Sequence, residues 1–282
     1  MLANYWKWRL NSANPQARIK AARMLGKTGK SGALRPLVRA LGDPDAKTRG
    51  AAAEALVGLH RPGVFDAFVA ALKEGNAAMR AAACYGLCLM GDVRATSALL
   101  KLLQDEEASV RRAAAQSLHG LGWRPGNDRE RVLNALARKN EEEVLETGSG
   151  GVPALIEALR EKDAAIRKLA ARSLGALDDA RAVKPLVQLT ADRDVAAHAV
   201  DALSSLLKRR ARETSEEALR AAAHVGKVSQ VVGVGRQGVR LRGLRRASSP
   251  HTRVVDSAEV SRLARAELAR RGLAGRGMLG AA

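Results

Sequence analysis

Few side chains in this sequence could do chemistry, and their spacing says what kind. Cys84 and Cys88 lie four apart, on one face of a helical segment. Two thiolates can start a soft-metal site, but a closed site needs two more ligands nearby, so these two read as small buried apolar groups. The five histidines are His60, His119, His198, His224 and His251. His60 and His119 fall near the ends of helical segments, where an imidazole is solvated or helps to cap the helix. Arg18, Arg49, Arg80 and Arg111 recur at one constant interval, and Arg167 takes the same place in a later segment. Such a ladder of guanidinium groups could bind phosphates. It could also be structural, because Asp45, Glu107 and Asp163 each stand four positions before one of these arginines and could pair with it along the helix.

The remaining candidates lie toward the ends of the chain. Gly233, Gly235 and Gly238 have G-x-G-x-x-G spacing after an apolar run, and Asp256 follows about where a ribose-binding acid would stand. The helix such a unit requires would hold Gly243 in its middle and four arginines, so these four residues are weak cofactor candidates and no cofactor is expected. Lys208, Arg209 and Arg210, with Arg236, Arg240, Arg242, Arg245 and Arg246, have few local acids and are candidates for polyanion contact. Without interleaved aromatics or a base-reading motif, any nucleic-acid contact through them would be nonspecific. Trp6, Trp8 and Trp123 are candidate partner-binding residues, because aromatic side chains anchor interfaces. Tyr5, Trp6 and Trp8 could equally belong to a helix that caps a repeat stack.

These residues must be positioned by helices. Of the 282 residues, 46% are hydrophobic and 27% charged but only 2% aromatic, so the core is built from alanine and leucine in closely packed helices, and a β-sandwich is excluded. The formal net charge is +19; residues 205 to 282 carry +11 of it, from 17 Lys and Arg against 6 Asp and Glu. The uncharged stretch between Arg80 and Asp92 is only eleven long, against the roughly 20 residues needed to span a bilayer. Segments 14–26, 45–57, 76–88, 107–119 and 163–175 share one pattern, with a weaker copy from Asp194. Each opens on Asn, Asp or Glu, as an N-cap should. After a Gly or Pro break each is followed by a second apolar run, as in ALRPLVRAL, VFDAFVAAL and ATSALLKLL. Neither helix of such a pair can bury its apolar stripe alone, so neighbours must stack into an α-solenoid.

The pattern D-x-x-V/I/A-R-x-x-A-A-x-x-L-G followed by A-x-x-P-L-V-x-L resembles the short HEAT-like repeat of the phycobilisome-lyase type, over about residues 14 to 204. The resemblance implies a right-handed superhelix of helix pairs used mainly to hold other proteins. A minority of such proteins are bilin lyases, nucleic-acid binders or di-iron hydroxylases. The hydroxylases use His-Glu pairs, and none of the five histidines here is followed by Glu, so no metal or catalytic residue is assigned. Trp6, Trp8 and Trp123 lack the pattern of the related DNA glycosylase cleft.

The expected architecture is therefore all-α. Residues 1–13 form a capping helix, 14–225 a HEAT-like solenoid with a degenerate repeat at 139–161, and 226–282 a basic, partly disordered extension. That extension has a helix over 257–271 opened by Asp256 and Glu259. Because repeat contacts run between neighbours, cutting after Lys227 is expected to leave stability nearly unchanged. The expected function is a non-catalytic scaffold that holds a protein partner on a concave face lined by second helices. The alternatives are nonspecific nucleic-acid or polyanion binding through the tail, and a lyase or chaperone role toward a bound chromophore or cofactor. Residues 1 to 10 lack a long apolar core, so no secretory signal is read and a cytoplasmic location is expected.

Overall fold

A computed structural model describes residues 2–29, 31–225, 229–232 and 253–273. The helices, in chain order, are α1 (Leu2–Arg9), α2 (Pro15–Thr28), α3 (Leu34–Ala40), α4 (Ala46–Gly58), α5 (Val64–Glu74), α6 (Ala77–Met90), α7 (Thr96–Lys101) and α8 (Ala108–Gly120). Then come α9 (Asp128–Arg138), α10 (Glu141–Leu145), α11 (Val152–Ala158), α12 (Ala164–Leu177), α13 (Val183–Leu189), α14 (Ala196–Arg210), α15 (Glu216–Ala223) and α16 (Ser257–Arg270). Two short strands, β1 (Ser229–Val232) and β2 (Arg253–Asp256), pair antiparallel between α15 and α16. Otherwise the described fold is an all-α solenoid. No helix among the described residues is long and apolar enough to cross a membrane.

The chain divides into two compact units, residues 1–125 and 126–282. In the first, the first helices of successive repeats stack as α2, α4, α6 and α8, while α3, α5 and α7 each pack on the first helix that follows. In the second, α10, α12, α14 and α16 stack, and α11, α13 and α15 pack in the same way. Side-chain caps start the helices where the sequence pattern puts them: Asn14, Asp45, Asn76 and Asp163 accept backbone N–H groups of the first turn. Glu107 makes no such bond.

The alanine-rich composition shows its purpose in the approach of the first helices. A Cβ placed on Gly26 would lie 2.9 Å from Ala55 Cα, and one on Gly175 would lie 2.9 Å from Ala202 Cα. Both glycines let helix backbones touch at ridges where no side chain fits. The cores are aliphatic, with Leu25, Leu56, Leu87 and Leu118 fully buried in the first unit and Leu155, Leu174, Leu186 and Leu203 in the second. In the segment 139–161 the first helix is cut to the five residues of α10, and a Gly148–Gly150 turn leads into α11.

The packing of helix α16 argues against the expectation that the chain can be cut after Lys227 without loss. It takes the place of a further first helix, packed on α14 and α15, and buries Val260, Ala264 and Leu268. Arg271 donates to the carbonyls of Ala211 and Arg212, and Arg265 to that of Ala223. Removing it would uncover the apolar faces of α14 and α15.

Candidate functional site

The arginine ladder is a structural clamp, and its partners differ from those the local spacing suggests. Arg18 donates from Nε and one terminal nitrogen to the two carboxylate oxygens of Asp43, both at 2.8 Å. Arg80 grips Asp105 in the same way at 2.8 Å, and Arg167 reaches Asp192 at 2.8 Å. In each case the acid lies 25 residues ahead, in the loop that ends the repeat. The other terminal nitrogen bonds carbonyls in the loop before the helix: Ser12 and Ala13 for Arg18, Gly75 for Arg80, Glu161 and Lys162 for Arg167. Arg49 and Arg111 bond Asp43 and Pro44, and Asp105 and Glu106, likewise. The pairing of Asp45 and Asp163 with the arginines one turn on is thus corrected. These carboxylates turn back to Thr48 N–H and Ala165 N–H of their own helices, while each guanidinium extends over the loops.

Asp43 and Asp105 are held three ways, and Asp192 two. One carboxylate oxygen accepts the N–H two positions on, from Asp45, Glu107 and Asp194. The carboxylate takes the preceding arginine, and the carbonyls of Asp43 and Asp105 take the following one. Fork-like, charge-assisted bonds of this kind are among the strongest in proteins. Hydrogen bonding to the carboxylates of Asp43 and Asp105 raises the pKa of Arg18 and Arg80. One period beyond Arg167 the ladder position is His198. Its Nδ1 is buried without a hydrogen-bond partner among the described residues. Burial, together with the charges of Lys168 and Arg172, holds its pKa below the ordinary value.

The other chemically capable residues are accounted for by packing and pairing. Cys84 is buried and its thiol is pushed up to about 12 by desolvation, which suits an inert core group. His60 is exposed with φ of 47°, in the left-handed conformation that follows the end of α4, and His119 is exposed in the last turn of α8. His224 Nδ1 lies 2.8 Å from the Arg220 carbonyl. His251 falls outside the described residues. Among the described residues no three His, Cys, Asp or Glu side chains gather as a metal site would need.

Of the basic candidates, Lys208, Arg209 and Arg210 are committed to intramolecular pairs. Lys208 meets Glu259 at 2.7 Å, Arg209 and Arg210 both meet Asp178, and Arg210 also meets Glu213. Burial would raise Asp178, but hydrogen bonds from Arg209 and Arg210 outweigh it and hold the carboxyl below its usual range. The balancing acids were distant in sequence or one turn away, so the run only looked unneutralised. Arg236, Arg240, Arg242, Arg245 and Arg246 lie outside the described residues, as do Gly233, Gly235 and Gly238. Asp256 ends β2, which runs antiparallel to β1, whereas the dinucleotide crossover joins parallel strands.

Among the described residues the large exposed apolar side chains lie in the first unit. Trp8 is 66% exposed and Leu2 74%, on one side of α1 with Tyr5, whose ring lies 6.2 Å from that of Trp8. Trp6 is half-buried and meets Tyr5 edge to face, while half-buried Trp123 closes the end of α8 through its backbone N–H, which donates to the Leu118 carbonyl. A second cluster missed by sequence reasoning is on α6 and the turn after it: Tyr85 and Leu89, each 42% exposed, and Val93. Their apolar character resembles that of core positions, and only the stacking shows which side faces water. Beside Tyr85 runs a groove of about 400 Å³ across α2, α4 and α6. A smaller one, about 190 Å³, lies between the second helices α11 and α13.

A family model for HEAT repeats matches residues 4–74, 65–144 and 124–204, and the chain belongs to that family. Among solved structures it is similar to human deoxyhypusine hydroxylase, at 20% identity over 79% of this chain and 90% of the other, with a TM-score of 0.35. It is also similar to the CpcE and CpcF complex of phycocyanin lyase from Nostoc sp. PCC7120, at 22% identity over 78% and 92%, with a TM-score of 0.32. A designed armadillo repeat protein matches at 20% identity over 73% and 100%, with a TM-score of 0.28. No curated protein sequence matches the chain.

Proposed function

We propose that this chain is a non-catalytic scaffold that holds a protein partner, and that its first unit makes the contact. The observation that carries this reading is the pair of exposed apolar clusters there, Leu2, Tyr5 and Trp8 on α1 and Tyr85, Leu89 and Val93 at α6. Large aromatic and aliphatic side chains grouped on a rigid helical surface are the anchors that protein interfaces use. The clamped repeats supply the rigidity, so little ordering is needed on binding. This reading puts the contact on α1 and α6 rather than on the second helices first expected to line it.

The test is a photo-crosslinking phenylalanine analogue at Tyr85 in the cells that make the protein, with Gln188 on α13 as the comparison site. A discrete crosslinked protein from position 85, whose purified form no longer binds the Tyr85→Ala, Leu89→Ser double variant, supports the proposal. That variant must keep the thermal midpoint of the parent. Crosslinks from position 188 alone would move the contact to the second helices, and none from either site would end the scaffold reading.

A further inference from the structure

The groove beside Tyr85 carries a charge pattern that names its occupant. Its walls are Arg23 of α2, Lys47 and Glu54 of α4, and Tyr85 of α6, and its floor is Ile19 and Gly50. Arg23 and Lys47 are exposed, as is Lys20 on the adjacent turn, and none of the three has an ion-pair partner among the described residues. Asp43 is taken up by the clamp and Asp45 by the start of α4, from where its charge also acts on Lys47, and Glu54 is the one acid in the groove's described lining. The floor is open, because a Cβ built on Gly50 would meet nothing within 4 Å. Tyr85 hydroxyl stands 3.5 Å from a Glu54 carboxylate oxygen, so one wall offers an aromatic face next to an acceptor.

We infer that this groove binds an acidic, extended protein segment bearing an aromatic or aliphatic side chain. The segment's carboxylates meet Lys20, Arg23 and Lys47, and its apolar side chain lies over Gly50 against Tyr85. Glu54 distinguishes this occupant from a nucleic acid. A peptide backbone brings N–H donors that the carboxylate can accept, whereas a phosphodiester backbone brings only acceptors. The inference deepens the scaffold reading and rests on it.

The experiment measures anisotropy of a fluorescein-labelled peptide of four Glu-Glu-Tyr triplets with the full chain at physiological salt. A peptide of Ser-Ser-Tyr triplets and labelled duplex DNA are compared. The acidic peptide is expected to bind, and Arg23→Glu with Lys47→Glu to weaken it about tenfold or more, as loss of complementary charge does. Gly50→Leu is expected to abolish binding by filling the floor, while its thermal midpoint holds or rises, since leucine favours a helix over glycine. Reversal of Arg240 and Arg242 is expected to leave peptide binding unchanged. No binding of the acidic peptide, equal binding of the serine peptide, or full binding by Gly50→Leu overturns the inference. So does DNA that binds as tightly and loses affinity with the same substitutions, which would make the groove a phosphate site. A crosslink from position 85 alongside failure of the acidic peptide would leave the scaffold standing and remove only the acidic chemistry.

Discussion

Arg80 is held at both ends of its guanidinium, by the Asp105 carboxylate and by the Gly75 carbonyl, and its side chain is only 15% exposed. Removing it leaves a largely buried carboxylate and a loop carbonyl without their donor. Arg80→Ala should therefore destabilise the chain by about 2 kcal/mol, the range for losing charge-assisted bonds at a mostly buried site. Urea unfolding followed by circular dichroism measures this. Arg80→Lys should recover little of the loss, because an ammonium cannot fork onto both carboxylate oxygens while reaching back to the carbonyl. If lysine restored full stability, the contribution would be charge alone and the clamp geometry would be irrelevant.

At the scale of elements, the repeated helices and their caps were legible because both are local: an Asn or Asp before an alanine-rich run, then a turn, then a second apolar run. The clamp was not, because its acid stands in a loop beyond the whole helix pair, where no periodicity within a helix points to it. The nearer acids, Asp45 and Asp163, were plausible partners until their own helix ends claimed them. The place of α16 was also hidden. Its apolar stripe of Val260, Ala264 and Leu268 was visible, but the intervening segment breaks the regular register that would have marked it as a first helix. Glu267 fixes its end, with its pKa lowered to about 2 by hydrogen bonds from Arg270 and then Arg271. A carboxyl depressed in the folded state stabilises it above its ordinary value of 4.5, and that contribution is lost as pH falls toward about 2. The thermal midpoint of Glu267→Gln should thus lie below the parent's at pH 6, and the two should converge through this window. Parallel curves down to pH 2 would mean that Glu267 has the same pKa in the unfolded chain.

For the whole molecule, a net charge of +19 is carried on a frame that uses many of its acids internally. The surplus is left on surfaces, and it is uneven in kind: among the described residues the large exposed apolar side chains all belong to the first unit. The division between units follows Pro125. There the ladder also changes: Leu136 stands where the carboxylate for Arg111 would fall, and Glu142 where the next arginine would fall. The sequence signalled this place by a shortened repeat, and the structure adds that the series of clamping acids is interrupted there.

Asp43 and Asp105 each serve two arginines, one through the carboxylate and one through the carbonyl, so each acts as a buckle shared by consecutive repeats. The shared residue makes the chain a ruler whose only free increment is a whole repeat. A single alanine inserted between Arg80 and Asp105 should lower the thermal midpoint by several degrees, as a loss of about 2 kcal/mol does in a chain this long. The same insertion among residues 121–127, which no buckle spans, should shift it by far less. Duplicating a block one full repeat long should restore every grip in the longer chain, whatever residue the block begins with, so growth of such a protein is quantised by its loops rather than by its helices.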